Sequence, residues 1–345
     1  MKLKAVLAGT KGWADAHAKA YQASERIELV GICGHSNTER LKALADRYGI
    51  AARTLDLETL LRETNPDIVD IVSSPDARLE LVKTAVRFPS VKLINIEKPM
   101  ALTPSEAYEI EALCKAHGKL ALVNHQHKYL PAWHKAQQLL RAGAIGEIEF
   151  IRASTKVNIM EQGSHVIDMV MYFNDFSPIA WVMGQTGPYE GKDSSSIVAP
   201  DEAMASILFA NGVRATVECG AFARSLQGET NPFYHIGVDA YGTEGHLKIA
   251  LNQTLEVRNY ITGEHTVEKS SWDEHHFDAL LAYVNSIPEY LANPEGGHIC
   301  DLAHAMLSFQ VIMAIYHTAE YGGKVELPRR FEDGIVERFA DKAAR

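Results

Sequence analysis

Cysteine is scarce in this chain. Cys33, Cys114, Cys219 and Cys300 lie far apart and form no CxxC pair. That spacing offers neither a thiolate zinc site nor a disulfide framework. Positive charge is also in short supply. Lys and Arg number 34 against 44 Asp and Glu, a formal net charge of −10. A nucleic-acid or anionic-membrane surface wants clustered cations, so neither partner is expected. Apolar runs read as too short to span a bilayer. Met1–Gly9 is broken by glycine too soon for a secretory signal. A reducing, cytoplasmic setting is the expectation. HExxH and GxSxG are missing, which removes the common zinc-protease and serine-hydrolase signatures. His125-x-His127 and His275-His276 do not repair this: neither belongs to a spacing that fixes tetrahedral ligands, and the adjacent pair diverges on a helix and on a strand. No metal site is expected.

What is present is an alternation. Short apolar runs at 3–8, 27–33, 68–72, 91–96 and 120–124 predict strands. Between them, 14–22, 38–48, 56–62, 78–88 and 103–117 predict helices. Strands alternating with helices predict a doubly wound parallel sheet. After about residue 124 the pattern changes. A helix at 132–142 is followed by strands at 147–156, 180–186, 203–209, 213–219, 235–241, 247–250 and 255–260, then by a helix at 302–321. This half predicts an α+β domain on a mostly antiparallel sheet. Asn211-Gly212 predicts a type I′ hairpin turn. The expected domains are residues 1–124, binding a dinucleotide, and 125–345, for substrate and oligomerisation.

The most informative motif is Glu97-Lys98-Pro99, directly after the run Val91–Ile96. Ligands of open α/β sheets bind beyond the strand carboxyl ends, which is where Lys98 falls. Pro99 bars a helix from starting at once. The first strand–turn–helix reads Gly9-Thr10-Lys11-Gly12-Trp13-Ala14, where a dinucleotide fingerprint would read GxGxxG. Gly9 suits the tight turn, Ala14 replaces the last glycine, and Lys11 takes the middle place. The loop can present amides to a phosphate, and an ordinary βα turn reads the same way. After the second strand a ribose-binding acid is missing: Gly34, His35, Ser36, Asn37 and Thr38 precede Arg40. That leans toward a 2′-phosphate, hence NADP rather than NAD. Ser73-Ser74-Pro75 ends another strand beside the expected crevice. Finally, Glu161 through Asp168 opens an apolar helix, with Glu161 and His165 four apart. A helix start disfavours an imidazolium, leaving His165 available as a base.

These motifs together resemble the Gfo/Idh/MocA family of sugar and inositol dehydrogenases, over nearly the whole length. The resemblance rests on the glycine turn ending in Ala16-His17, on Glu97-Lys98-Pro99 and on Gln126-His127-Lys128-Tyr129-x-Pro131. It rests equally on Gly143-x-Ile145-Gly146, Gly163-x-His165-x-x-Asp168 and Tyr241-Gly242-Thr243-Glu244-Gly245. It implies a Rossmann-type domain holding a nicotinamide cofactor, NAD(P), near Gly9–Trp13, His35, Ser36, Arg40, Ser73–Pro75, Glu97, Lys98 and Gln126. It implies a carbohydrate substrate and an open-faced sheet that pairs subunits into dimers or tetramers. In this family the motif lysine contacts the reacting hydroxyl, which transfers to Lys98. The helix-borne proton acceptor transfers to His165, and the acid four residues earlier corresponds to Glu161. Candidate sugar contacts, by position, are His127, Tyr129, Asn158, His165, His235, Trp272 and His276. A neutral His can take a hydroxyl proton while Lys98 steadies the developing alkoxide. A redox-neutral glycosidase with transient oxidation at C3, and a non-catalytic dinucleotide sensor, are the alternatives.

Overall fold

The computed structural model describes residues 2–187, 197, 199–335, 337 and 338. Two compact units emerge: Met1–Gln126 with Phe277–Ala305, and His127–His276 with Met306–Arg345. The sequence reading treated 125–345 as one piece; instead 277–305 returns to the first unit.

In the first unit β1 (Leu3–Ala8), β2 (Ile27–Cys33), β3 (Ala52–Thr54), β4 (Ile68–Ile71), β5 (Leu93–Ile96) and β6 (Leu120–Val123) form one sheet. Its order is β3-β2-β1-β4-β5-β6, and every pairing is parallel. This is the doubly wound order whose ligands sit beyond the strand carboxyl ends, where the order reverses between β1 and β4. The helices are α1 (Ala14–Ala23), α2 (Thr38–Arg47), α3 (Leu57–Thr64), α4 (Arg78–Val86) and α5 (Pro104–Ala116). Local chemistry sets their starts. Asn37 and Asp56 accept hydrogen bonds from the first turns of α2 and α3. Thr103 and Glu106 close a capping box on α5, with Pro104 at its first turn. Strands β4 and β5 are buried throughout, as a sheet covered on both faces requires. Their two polar members, Asp70 and Asn95, are therefore exceptional.

The second unit carries α6 (Pro131–Arg141), β7 (Ile148–Thr155), α7 (Gly163–Phe173), β8 (Ile179–Thr186), β9 (Ala203–Phe209) and β10 (Arg214–Cys219). Strands β11 (Gly237–Gly242), β12 (Gly245–Ala250), β13 (Thr254–Asn259), β14 (His265–Lys269) and β15 (Val325–Glu326) complete it. They make a nine-stranded sheet, β14-β13-β12-β11-β7-β10-β9-β8-β15, parallel only between β7 and β10. Helix α7 is buried along its whole length and packs on β7, β10 and β11.

Helices α8 (Trp272–Ala292) and α9 (Leu302–Tyr321) each continue from one unit into the other. The sequence reading missed α8, which carries Pro288 inside it. Its buried stripe is Ala279, Leu280, Tyr283, Val284 and Ile287, a helical spacing. The expectation that no apolar stretch is long enough to span a bilayer also needs correction. By length and composition α9 is long enough, yet about two thirds of it is buried inside the protein.

Two turns are decided by glycine. The Asn211-Gly212 hairpin is not type I′, because only Gly212 has positive φ, +89°. Gly212 N–H donates to Phe209 O, and Asn211 Oδ1 accepts from Val213 N–H, so the connection is longer than two residues. Gly9 has φ +145°, and a Cβ there would lie 1.9 Å from the carbonyl oxygen of Val72. At Gly212 a Cβ would meet nothing within 4 Å. Gly212→Ala should therefore cost only the backbone strain, about 1–2 kcal/mol. Gly9→Ala should cost clearly more, and urea denaturation of the two variants checks the order.

Candidate active site

The first unit holds a buried polar network at the carboxyl ends of its strands. His17, on α1, is fully buried. Its Nδ1 lies 2.7 Å from Asp70 Oδ2 on β4, and its Nε2 lies 2.9 Å from Glu97 Oε1 just beyond β5. Asn95 Nδ2 donates to the other Asp70 oxygen at 2.7 Å, and the Tyr283 hydroxyl donates to Asn95 Oδ1. Asn124, after β6, donates to Glu97 Oε1 at 2.5 Å and to Gln126 Oε1 at 2.9 Å. Burial works against charge on His17, but the two carboxylates prevail and push its pKa up to about 10. Burial likewise works to raise Glu97; its bonds to His17 and Asn124, with the Arg78 charge, hold it below the usual carboxylate range. An imidazolium between two carboxylates is thus the resting state.

Arg78 ties the neighbouring loops together. Buried at the start of α4, it donates to Pro99 O and, at 2.8 Å, to Ser73 O. The cofactor candidates of this unit therefore hang from one frame. Gly9–Trp13 leads into α1, which carries His17. Ser73, Ser74 and Pro75 follow β4, and Arg78 holds the carbonyl of Ser73. Lys98 is half-buried, with Glu97 before it and the braced Pro99 after it. Glu97 and Gln126 are buried members of the network.

A dinucleotide fits the first βα turn. Thr10 is half-buried and Lys11, Gly12 and Trp13 are exposed in front of α1. Trp13, the N-cap, gives α1 no side-chain cap, so the first-turn amides suit an anion. The space a Cβ would fill at Gly9 is taken by Val72 O, which is why the turn needs glycine. His35, Ser36 and Arg40 are exposed beyond β2, and Asn37 is engaged in capping α2.

In the second unit the rings of His127, His165, Trp272 and His276 come together. His127 and His165 stack with centroids 4.1 Å apart. Trp272 meets His127 edge-on at 5.1 Å, and His276 stacks on Trp272 at 5.5 Å. In the same unit Lys128 Nζ lies 2.8 and 2.7 Å from the two oxygens of Asp168, with both side chains buried. Asp168 sits one helical turn after His165 on α7. Glu161 needs correction: α7 begins at Gly163, so Glu161 lies before the helix and shares no helix face with His165. Asn158 Oδ1 accepts from the N–H groups of Met160 and Glu161, so this side chain shapes the turn entering α7. His235 Nδ1 accepts from Leu226 N–H at 2.9 Å; burial first, and Lys156 second, hold its pKa below the ordinary value. Tyr129 is half-buried in the short turn Gln126–Tyr129.

Sequence reasoning missed the frame: Asp70, Arg78, Asn95, Asn124, Tyr283 and the Lys128–Asp168 pair. The available signal was polarity inside apolar strands, at Asp70 and Asn95. The network makes stability depend on pH. Over the interval from 6.5 to about 10, folded His17 keeps a proton that the unfolded chain loses. Its contribution is complete below the unfolded pKa and drains away as pH rises toward the folded one. The slope should reach at most about 1.4 kcal/mol per pH unit. Denaturation midpoints at pH 7, 8 and 9 should fall in the wild type and flatten in His17→Gln.

Residues 3–125 match the model of an oxidoreductase family with an NAD-binding Rossmann fold, Gfo/Idh/MocA. D-apiose dehydrogenase of Paraburkholderia graminis is 25 % identical over 276 residues, 75 % of this chain and 70 % of that protein. D-glucoside 3-dehydrogenase of Escherichia coli is 24 % identical over 345 residues, 90 % of this chain and 93 % of that protein. An Agrobacterium radiobacter oxidoreductase solved with NAD+, L-tartaric acid and magnesium shares the fold with TM-score 0.81 at 23 % identity. That superposition covers 94 % of this chain and 98 % of the other. With the parallel sheet, the glycine turn and the lysine after β5 in place, residues 3–125 form an NAD-binding Rossmann domain of the Gfo/Idh/MocA oxidoreductase type.

Proposed function

We propose that the protein oxidises a ring hydroxyl of a sugar, glycoside or cyclitol with NAD(P). The observation that carries this reading is Lys98, delivered beyond β5 of the parallel sheet and framed by His17–Glu97 and Arg78. The relatives that act on D-apiose and D-glucosides support the substrate class. The dinucleotide, when bound, supplies the acceptor for the hydride leaving the carbinol carbon. Lys98 donates a hydrogen bond to the reacting oxygen and steadies its growing negative charge. His165 takes the hydroxyl proton, so the products are a carbonyl, reduced cofactor and one proton on the imidazole. Glu161 is the accessory acid of this reading. The rings of His127, Trp272 and His276 offer apolar faces to sugar C–H groups, and Tyr129, Asn158 and His235 are further polar contacts of the substrate.

The finer assignments follow the same reading. The exposed His35, Ser36 and Arg40, with no acid from 34 to 38, lean toward NADP. The nine-stranded sheet exposes Met183 and Met204 on adjacent strands, an apolar patch suited to pairing two copies as a homodimer or homotetramer. The four cysteines are buried thiols outside any disulfide, which suits the reducing cytoplasm.

Lys98→Ala should abolish turnover of any sugar substrate, a loss of about 10²–10⁴-fold, while dinucleotide still binds. Steady-state kinetics with a parallel fluorescence titration checks this, and near-wild-type turnover would refute the assignment. Denaturing freshly purified protein and identifying the released dinucleotide should yield NADP, whereas NAD would reverse that lean.

A further inference from the structure

The buried network of the first unit is a chain of hydrogen bonds whose polarity is fixed at one end. His17 has Nδ1 2.7 Å from Asp70 Oδ2 and Nε2 2.9 Å from Glu97 Oε1, so both ring nitrogens carry protons. Glu97, as a carboxylate, can only accept. One Asn124 amide atom lies 2.5 Å from Glu97 Oε1 and 3.1 Å from His17 Nε2. An oxygen there would oppose the carboxylate at the shorter distance, so the atom is Nδ2. This leaves Asn124 Oδ1 buried without a partner among the described residues, a lesser cost than turning a carbonyl onto a carboxylate. The other proton of Nδ2 is aimed at the Gln126 atom 2.9 Å away, which must be Oε1. Gln126 is 4 % exposed. Its Nε2 is thereby turned away from the chain and meets no acceptor among the described residues. That nitrogen is not walled off, so a ligand can reach it.

Gln126 opens the turn that follows β6. In this strand order a dinucleotide spans the reversal between β1 and β4, with its adenosine half over β1 and β2. The nicotinamide half then falls over β4, β5 and β6. Its carboxamide has one accepting end, the oxygen, and one donating end, the NH2 group. A sugar hydroxyl both donates and accepts, so a contact of fixed polarity gains nothing from it. We propose that Gln126 is a donor-only contact whose Nε2 binds the carboxamide oxygen of the nicotinamide and so selects which way the carboxamide faces. This deepens the function proposed above and rests on its dinucleotide. His17 reaches the ligand only through the chain: it holds Glu97 as an acceptor, and donor and acceptor then alternate out to position 126.

Binding measurements separate the two ends of the carboxamide without any turnover. Calorimetry on protein freed of co-purified nucleotide uses NADP+, its 3-acetylpyridine analogue and its thionicotinamide analogue, with the NAD+ series in parallel. The acetylpyridine analogue keeps the carbonyl oxygen and lacks the NH2 group. The thio analogue keeps the NH2 group and replaces the oxygen with sulfur, a weaker acceptor. Wild type should bind the acetylpyridine analogue within about threefold of the parent, and the thio analogue about three- to tenfold more weakly. Gln126→Leu should weaken the parent by about the same factor and erase the thio penalty. Gln126→Glu can only accept, so the preference should invert, with the acetylpyridine analogue now weaker by about three- to tenfold. Asn124→Asp should invert it as well, because an acceptor at 124 turns Gln126 Nε2 inward; if that variant does not fold, the Gln126 variants decide alone. A wild type that rejects the acetylpyridine analogue, or a thio penalty that survives Gln126→Leu, overturns the proposal. So does a change confined to the sugar KM in Gln126→Leu, which would make a substrate oxygen the partner. A wild type that binds no dinucleotide at all removes the function reading too.

Discussion

A charged imidazole shut away from water is the constraint on which the first unit depends. Burying an isolated charge costs many kcal/mol, so His17 can exist there only with both carboxylates in place. Those carboxylates come from different strand ends, and each is in turn bonded to an amide, Asn95 or Asn124. The result couples α1, β4, β5 and β6 at the one edge of the sheet where this fold binds ligands. The same contacts that stabilise the unit thus fix the spacing between the glycine turn, the Ser73–Pro75 loop and Lys98. Loss of one member leaves another buried charge uncompensated, so the network resists piecemeal change.

The second unit reaches a comparable end by a different route. Its helix α7 is apolar and wholly buried, so packing fixes its axis. The Lys128–Asp168 pair then fixes its rotation, since only one face can meet a buried ammonium. That rotation presents His165 to the ring of His127 at 4.1 Å. Ion pair and stacked rings occupy successive turns of the same helix face, the i, i+3 relation of Asp168 to His165.

The parallel order of the first sheet was legible because strand–helix alternation and short apolar runs leave few topologies open. The position of Lys98 just beyond β5 was legible because charged residues and a proline end the apolar run there. The start of α7 was legible to within two residues: His165 lies in its first turn, whereas Glu161 falls before it. The frame was not legible. Asp70, Asn95, Asn124 and Tyr283 lie far apart in the chain, and which of them meet is decided by strand order and by the return of 277–305. Helix α8 was hidden by Pro288, although its buried stripe keeps helical spacing from 279 to 287. The turn at Asn211-Gly212 shows the limit of dipeptide rules, since the same two letters serve a longer connection.

The return of Phe277–Ala305 has a consequence for biosynthesis. The strands of the first unit leave the ribosome early, but Asn95 waits for Tyr283, and Val123 N–H waits for Cys300 O. At ordinary elongation rates that delay is roughly 10–40 s. During it, the nascent sheet is missing its last cover, and β6 lacks the segment that later bridges to it at Asp301. The first unit therefore reaches its full set of hydrogen bonds only after the late segment has been synthesised and has docked.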